Sequence, residues 1–268
     1  MNKVFILTIS MFIISLCCFA QNNTGGRLLG MGNNTIAVKD IWSINGNPAG
    51  ITGLNKPTLA LSYGKSITST EISNQGLAFV IPFNRNFAGL SIQRYGITEY
   101  NEINAGIALT KAFSENFAIG IKLNYHQIKI TNYGSTNGFS ADVGLMYKYN
   151  GNLTFGASVS NPTLQKYKTQ NLSAQIPTTF SLGASYNASN KILVASYIKK
   201  ELDKAFDVGL GIDYNILEVL SLRGGLTAKS FKQYAGFGIR YKHLTFDGAV
   251  ESDPNLGYSP QIALAYAF

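Results

Sequence analysis

The chain has 268 residues, with Lys and Arg together at 22, Asp and Glu at 14, a formal net charge of +8 and two cysteines. Both cysteines, Cys17 and Cys18, fall within residues 1–20, so the chain beyond Ala20 has no thiol to form a disulfide, bind a soft metal or act as a nucleophile. No run of about eighteen apolar residues occurs after Ala20, which excludes helical membrane spans and leaves two classes, an exported soluble all-β protein and an outer-membrane β-barrel.

Residues 1–20 read as a secretory signal peptide. Lys3 gives a basic start, Val4–Leu16 is nearly all apolar, and Cys18-Phe19-Ala20 before Gln21 fits a small-residue cleavage site. A membrane-anchoring helix is the alternative, but the apolar run falls short of the ~20 residues a bilayer core needs. Leu16 and Cys17, which precede the two cysteines, are not the small residues a lipoprotein peptidase requires. An exported chain with this basic excess points to anionic lipid or glycolipid as a neighbour rather than to nucleic acid.

Gly30–Leu54 contains the only tryptophan, Trp42, and follows neither a strand nor a helix rhythm. From Pro57 onward the sequence alternates. Phe117, Ile119, Ile121, Leu123 and Tyr125 take one face, while Ala118, Gly120, Lys122 and Asn124 take the other, a two-residue period. Phe139–Tyr149, Phe206–Ile216, Phe231–Tyr241 and Ile262–Phe268 repeat it, and nothing apolar recurs at helical spacing. Tight polar turns fall at Asn84-Arg85-Asn86, Ser114-Glu115-Asn116, Asn150-Gly151-Asn152, Ala188-Ser189-Asn190, Leu217-Glu218 and Lys242-His243. Between them, longer loops are predicted at Tyr95–Asn101, Thr131–Asn137, Asn161–Ala174 and Lys199–Lys204, with a shorter one at Lys229-Ser230. Lys65–Ser73 and Ser252–Gly257 flank the series. Counting from Leu59 gives about fourteen strands, an even number with short turns at one rim and longer loops at the other, as in outer-membrane barrels. Even parity places both ends of the barrel on the short-turn side.

Aromatic placement fits the same architecture. Phe83, Phe87, Phe113, Phe117, Tyr147, Tyr149, Phe155, Tyr186, Tyr241 and Phe246 cluster at the short turns as an interfacial girdle. Tyr95, Tyr100, Tyr133, Tyr197, Tyr234 and Tyr258 are predicted to form the opposite belt. The inward positions are small: Gly120, Gly144, Gly156, Gly183, Gly209, Gly211, Gly236 and Gly238 alternate with serines. Strand glycines mark bends or close approach of another backbone, here predicted to be Gly25–Lys56, since about fourteen strands enclose more space than their own side chains fill. Ile262, Leu264, Tyr266 and Phe268 form an outward stripe that resembles the C-terminal signal read by barrel-assembly machinery.

The stretch "GGRLLGMGNNTIAVKDIWSINGNPAGI" resembles the amino-terminal segment of the FadL-type long-chain fatty-acid channels and of the related PorV/PorQ barrels of type IX secretion. The matching residues are Arg27, Leu29-Gly30-Met31-Gly32, the apolar Ile36–Val38 as the family's short strand, Asp40 and Asn47-Pro48-Ala49. Ile41 follows Asp40, so the family's acidic pair is half present. The resemblance implies an all-β transmembrane antiparallel barrel of about fourteen strands, divided into a signal peptide (residues 1–20), an N-terminal hatch (21–56) and the barrel (57–268). The hatch would lie in the periplasmic half of the lumen, with Asn47-Pro48-Ala49 as a fixed turn and both termini periplasmic, in a Gram-negative outer membrane. It also implies a passive channel for fatty-acid-like hydrophobic solutes, which would leave sideways past the hatch. The PorV/PorQ side of the resemblance implies instead an interaction barrel whose partners are type IX secretion components.

Chemistry for catalysis is sparse. The two histidines are His126, on a predicted lumen face where Ser140 or Asp142 could meet it, and His243, in a short turn. No metal-ligand spacing or phosphate loop stands out, so no enzyme activity and no cofactor is expected. Lys122, Asp142, Lys148, Asp207, Asp213, Arg223, Arg240, Asp247 and Glu251 fall on lumen faces, where charge must be hydrated or paired, and are predicted to hold the hatch. Lys166, Lys168, Lys199, Lys200, Lys204, Lys229 and Lys232 gather near the long-loop rim, where they could meet glycolipid phosphates.

Overall fold

The computed structural model describes residues 24–68, 71–167 and 175–268, so the signal-peptide reading, residues 21–23 and Lys168 lie outside it. Fourteen strands form a closed barrel: β1 Thr58–Lys65, β2 Ser73–Phe83, β3 Asn86–Gly96, β4 Tyr100–Ala112, β5 Phe117–Ile130, β6 Gly134–Lys148, β7 Leu153–Ser160, β8 Thr179–Ser189, β9 Ile192–Glu201, β10 Asp207–Asn215, β11 Leu220–Thr227, β12 Lys232–Tyr241, β13 Leu244–Asp253 and β14 Gly257–Ala267. Each pairs antiparallel with its sequence neighbour. The ring closes through β1 and β14, with Thr58 opposite Ala267 and Tyr63 opposite Ile262. Closure removes the free edges that would otherwise template aggregation.

The two-residue rhythm becomes two faces. On β5, Leu123 is 64% exposed while its neighbours Lys122 and Asn124 are each 3% exposed. Leu61, Ile107, Leu109, Leu182, Leu210 and Leu264 are likewise exposed on the outer face. A water-soluble monomer rarely shows contiguous apolar patches beyond a few hundred Å². An apolar face running around the whole wall matches hydrocarbon, and most strands are at or near the roughly 9–11 residues a tilted strand needs to cross it.

Two predictions about the rims need correction. The loops expected at Tyr95–Asn101 and Thr131–Asn137 shrink to residues 97–99 and 131–133, because β3 to β6 keep pairing well into those polar stretches. Polar outward residues such as Lys129 and Asn137 are exposed there, so ladder bonds continue where the apolar alternation has stopped. The longest separations between successive strands are those from β1 to β2 and from β7 to β8. The girdle also loses members. Phe87 is 7% exposed and belongs to the internal apolar cluster, because Asn86 pairs directly with Phe83 and puts Phe87 opposite Pro82 on the inner face. Tyr197 and Tyr234, at 7% and 6% exposed, also face inward. Tyr133 and Tyr258 are exposed as expected.

Residues 24–56 lie within the ring of strands. They contain a short helix, α1 (Gly25–Gly30), and two 3-10 helices, Ile41–Asn45 and Pro48–Gly53. Ile36–Val38 is buried but forms no strand, since the strands it lies against, β7 and β8, are already paired on both sides there. Asn47-Pro48-Ala49 is a helix start rather than a lone turn: the Asn47 side chain accepts from the Ala49 amide, and Pro48 occupies the first turn, where its missing N–H costs nothing. Asp40 caps Ile41–Asn45 in the same way through the Trp42 amide.

Candidate functional site

The lumen is where chemistry-bearing residues converge, and its short-turn half is filled by residues 24–56. Leu28, Met31, Val38, Ile41, Trp42, Ile44 and Ile51 are buried in one cluster with Ala60, Ala78, Val80, Phe87, Ala108 and Ala195 of the wall. The wall accepts this segment through missing side chains. A Cβ on Gly156 would lie 2.0 Å from the Ile36 carbonyl oxygen, one on Gly211 2.1 Å from the Met31 oxygen, and one on Gly144 2.0 Å from Asn47 Oδ1. Gly120 meets Pro48 and Ala49, Gly183 meets Ile36, and Gly236 meets Gly30. Gly209 and Gly238 differ from expectation: they make room for the Tyr197 ring and the Arg223 guanidinium of neighbouring strands rather than for backbone.

Polar anchors join segment and wall around the ring. Asn47 Nδ2 donates to the Ile36 and Leu145 carbonyls at 2.6 and 2.9 Å, Thr110 Oγ1 to the Pro48 carbonyl at 2.8 Å, and Ser185 Oγ to the Ala37 carbonyl at 2.8 Å. Lys122 Nζ donates to Asn45 Oδ1 at 3.0 Å. On the opposite side runs a buried charge chain. Arg27 pairs with Asp40 at 2.9 Å and Asp213 at 3.0 Å, and Arg223 pairs with Asp213 at 3.0 Å and Asp247 at 2.6 Å. Burial opposes the Arg27 charge, yet Asp213 and Asp40 more than offset it and hold the guanidinium protonated, its pKa raised above the ordinary value. Gly30 and Gly32 follow Arg27 where the chain turns along β10 to β12, with Gly32 at φ 68° beside the Leu210 and Leu226 main chain.

The long-loop half of the lumen is polar. His126 Nε2 and Ser140 Oγ are 2.8 Å apart, but Asp142 is bonded to Asn124 Nδ2 and does not orient the imidazole. Tyr197 donates to Asp207, and Lys232 bridges Glu251 and Asp253. The described ends of the connection between β7 and β8, residues 161–167 and 175–178, reach inward over this space: Ile176 is 4% exposed, and the Lys166 carbonyl and the Ile176 side chain crowd Gly138. Tyr167 stands edge-on to His126, and burial with the nearby Glu102 carboxylate pushes its phenol up to about 12. Ser91 Oγ, Asn104 Oδ1 and Asn124 Oδ1 are buried without a hydrogen-bond partner among the described residues. Sequence reading missed this row; its signal is the small polar type at inward parity, Ser91 opposite Gly106 opposite Asn124.

The rim lysines disperse. Lys204 pairs with Glu201 and Lys232 with two acids, Lys199 faces the lumen, and Lys200 donates to the Lys204 carbonyl while lying over the Phe206 ring. Among the described residues, Lys199, Lys200, Lys204 and Lys232 therefore do not form a free basic cluster at that rim. At the chain end, Ile262, Leu264, Tyr266 and Phe268 are all exposed on the outer face, and the Phe268 amide donates to the Pro57 carbonyl at 2.9 Å.

No protein-family model matches the chain, and no curated protein matches its sequence. Solved structures share its fold. The toluene transporter TbuX of Ralstonia pickettii aligns with a TM-score of 0.71 at 13% identity, covering 93% of this chain and 100% of that one. The toluene transporter TodX of Pseudomonas putida aligns at 0.70 with 12% identity over 91% and 97%. A Pseudomonas aeruginosa FadL homologue aligns at 0.65 with 11% identity over 91% and 98%.

Proposed function

We propose that this protein is an outer-membrane channel of the FadL type that passes small hydrophobic, fatty-acid-like solutes, with residues 21–56 as its hatch. The short-turn rim and both termini face the periplasm, bilayer lipid wets the outer face, and the exposed stripe ending at Phe268 is presented to barrel-assembly machinery. The observation that carries this reading is a wall apolar on its outside and sealed on its inside: residues 24–56 touch inward positions on strands all around the ring. A sealed barrel suits a solute that prefers lipid to water. The fold shared over nearly full length with TbuX and TodX, themselves toluene transporters, supports it. Sideways exit is supported by β7, which stops at Ser160 while β6 continues to Gly134, so that Gly134–Ala141 are paired as a strand only to β5. A deletion strain is expected to take up labelled fatty acids or toluene several-fold more slowly than its parent. Uptake at the parental rate overturns the channel.

A second reading is favoured by the short connections at 97–99, 131–133 and 254–256, whose tips include the exposed Tyr133 and Leu256. Short loops with apolar tips suit protein docking better than a broad collecting groove, as in a PorV/PorQ-like scaffold for type IX secretion or surface attachment. Normal export and attachment of surface cargo in the same deletion strain removes this alternative.

A further inference from the structure

We propose that a cavity at the short-turn rim, mouthed by Lys39 and Lys148, binds a small organic anion: a carboxylate or phosphate carrying a short alkyl tail.

The cavity measures about 190 Å³ and opens between the filled lumen and the β2–β3 and β4–β5 turns. Its apolar floor is formed by Phe87, Ala118 and Met146, and its polar mouth by Lys39, Lys148 and Arg85. Glu115 is the single carboxylate in the lining. Neither lysine ammonium has an ion-pair or hydrogen-bond partner among the described residues, whereas Arg27, Arg223 and Lys232 are each held by two acids and Lys122 by the Asn45 side chain. The Lys39 main chain and the root of its side chain are held, while the ammonium end is exposed at the rim. Its backbone carbonyl accepts from Arg27, and its stem passes Gly53, where a Cβ would lie 2.6 Å from the Lys39 Cβ. Burial, with repulsion from Lys148, lowers the Lys39 pKa. An anion between the two ammoniums relieves that repulsion and accepts charge-assisted hydrogen bonds from both.

Size narrows the class. Pockets for drug-sized molecules run about 300–1,000 Å³, so this one takes a head group and a few carbons. The chemistry could arrive as a free short-chain acid that has crossed the barrel or as the head of an anionic lipid.

The test is calorimetric titration of the full mature chain, in uncharged detergent, with hexanoate and with hexan-1-ol as the neutral match. Hexanoate is expected to bind at least tenfold more tightly than hexanol, and Lys39→Gln or Lys148→Gln to weaken it at least tenfold. Lys242→Gln, a cation on another short turn at the same rim, is expected to leave it unchanged. Competition by dihexanoyl phosphatidylglycerol assigns the site to a lipid head and lack of competition to the free acid; either supports an anion site. Equal binding by parent and both lysine variants, or no binding of hexanoate or of the short lipid, overturns it. Heat-modifiable gel mobility confirms that each variant is folded. Because the readout is equilibrium binding, it is independent of whether the barrel conducts solute.

Discussion

Asp213 accepts from two guanidinium groups at once, Arg27 of the internal segment and Arg223 of the wall, with its side chain 5% exposed. Removing one member of such a buried chain leaves the others uncompensated, a loss of about 3–5 kcal/mol, whereas a pair near water contributes about 0–1 kcal/mol. Asp213→Asn should therefore lower stability in urea unfolding by about 3–5 kcal/mol, and Glu201→Gln, which breaks the more accessible Lys204 pair, by less than about 1 kcal/mol. Equal small losses in both would show that the charge chain does not anchor the segment. Much of this was visible at the level of residue type and face. The amino-terminal resemblance picked out Arg27 and Asp40, and inward parity picked out Asp213, Arg223 and Asp247. Which acid meets which arginine was not visible, because Arg27 and Asp213 are 186 positions apart and meet only once the ring closes.

At the scale of elements, the wall glycines and the internal segment define each other. Gly156 opposes Gly183, Gly120 opposes Gly144, and Gly211 opposes Gly225, so paired strands present flat windows in which the segment's backbone sits. Gly156→Ala or Gly211→Ala places a methyl about where a carbonyl oxygen now lies and should push the segment off the wall without disturbing the ladder. The expected result is faster tryptic cleavage at Arg27 and Lys39 in the folded protein. Gly151→Ala, in a turn with nothing within 4 Å of the added carbon, should cleave at the parental rate. Unchanged cleavage in all three would sink the window account. The strand glycines announced a close approach from sequence alone, but α1 did not. Its sequence has three glycines in six residues, each costing about 1 kcal/mol relative to alanine in a helix interior. Isolated helices this short are not stable. Burial of Leu28 and Leu29 against the lumen imposes the helix, a tertiary effect that local pattern does not carry. The aromatic belts lost Phe87, Tyr197 and Tyr234 for a related reason: proximity to a turn says nothing of the parity that decides which face a ring takes.

For the whole molecule, the proposed channel raises the question of whether solute must displace the segment or pass beside it. Leu28, Met31, Ile44 and Ile51 are each at most 1% exposed, and burial of such side chains contributes about 1.5–3 kcal/mol apiece before any ion pair is counted. A ligand shifts an equilibrium only by its differential affinity, and even the best tiny ligands reach only about 1.5 kcal/mol per heavy atom in total binding. Those four side chains hold the segment by about 6–12 kcal/mol, a range that spans the roughly 10 kcal/mol ceiling on toluene's total binding, so with the buried ion pairs added we take the sideways path as part of the proposed channel reading. Locking the segment should then leave transport intact. The two natural cysteines lie at positions 17 and 18, in the expected leader, so a pair introduced as Ala37→Cys and Ser185→Cys, where Ser185 Oγ now meets the Ala37 carbonyl at 2.8 Å, would be the only thiols in the mature chain. Proteoliposomes holding the oxidised, cross-linked protein are expected to take up labelled toluene within about twofold of the reduced form, a difference below ~0.5 kcal/mol in the barrier. A tenfold fall on oxidation, restored by reductant, would mean that the segment has to leave its seat and that the path runs along the barrel axis instead.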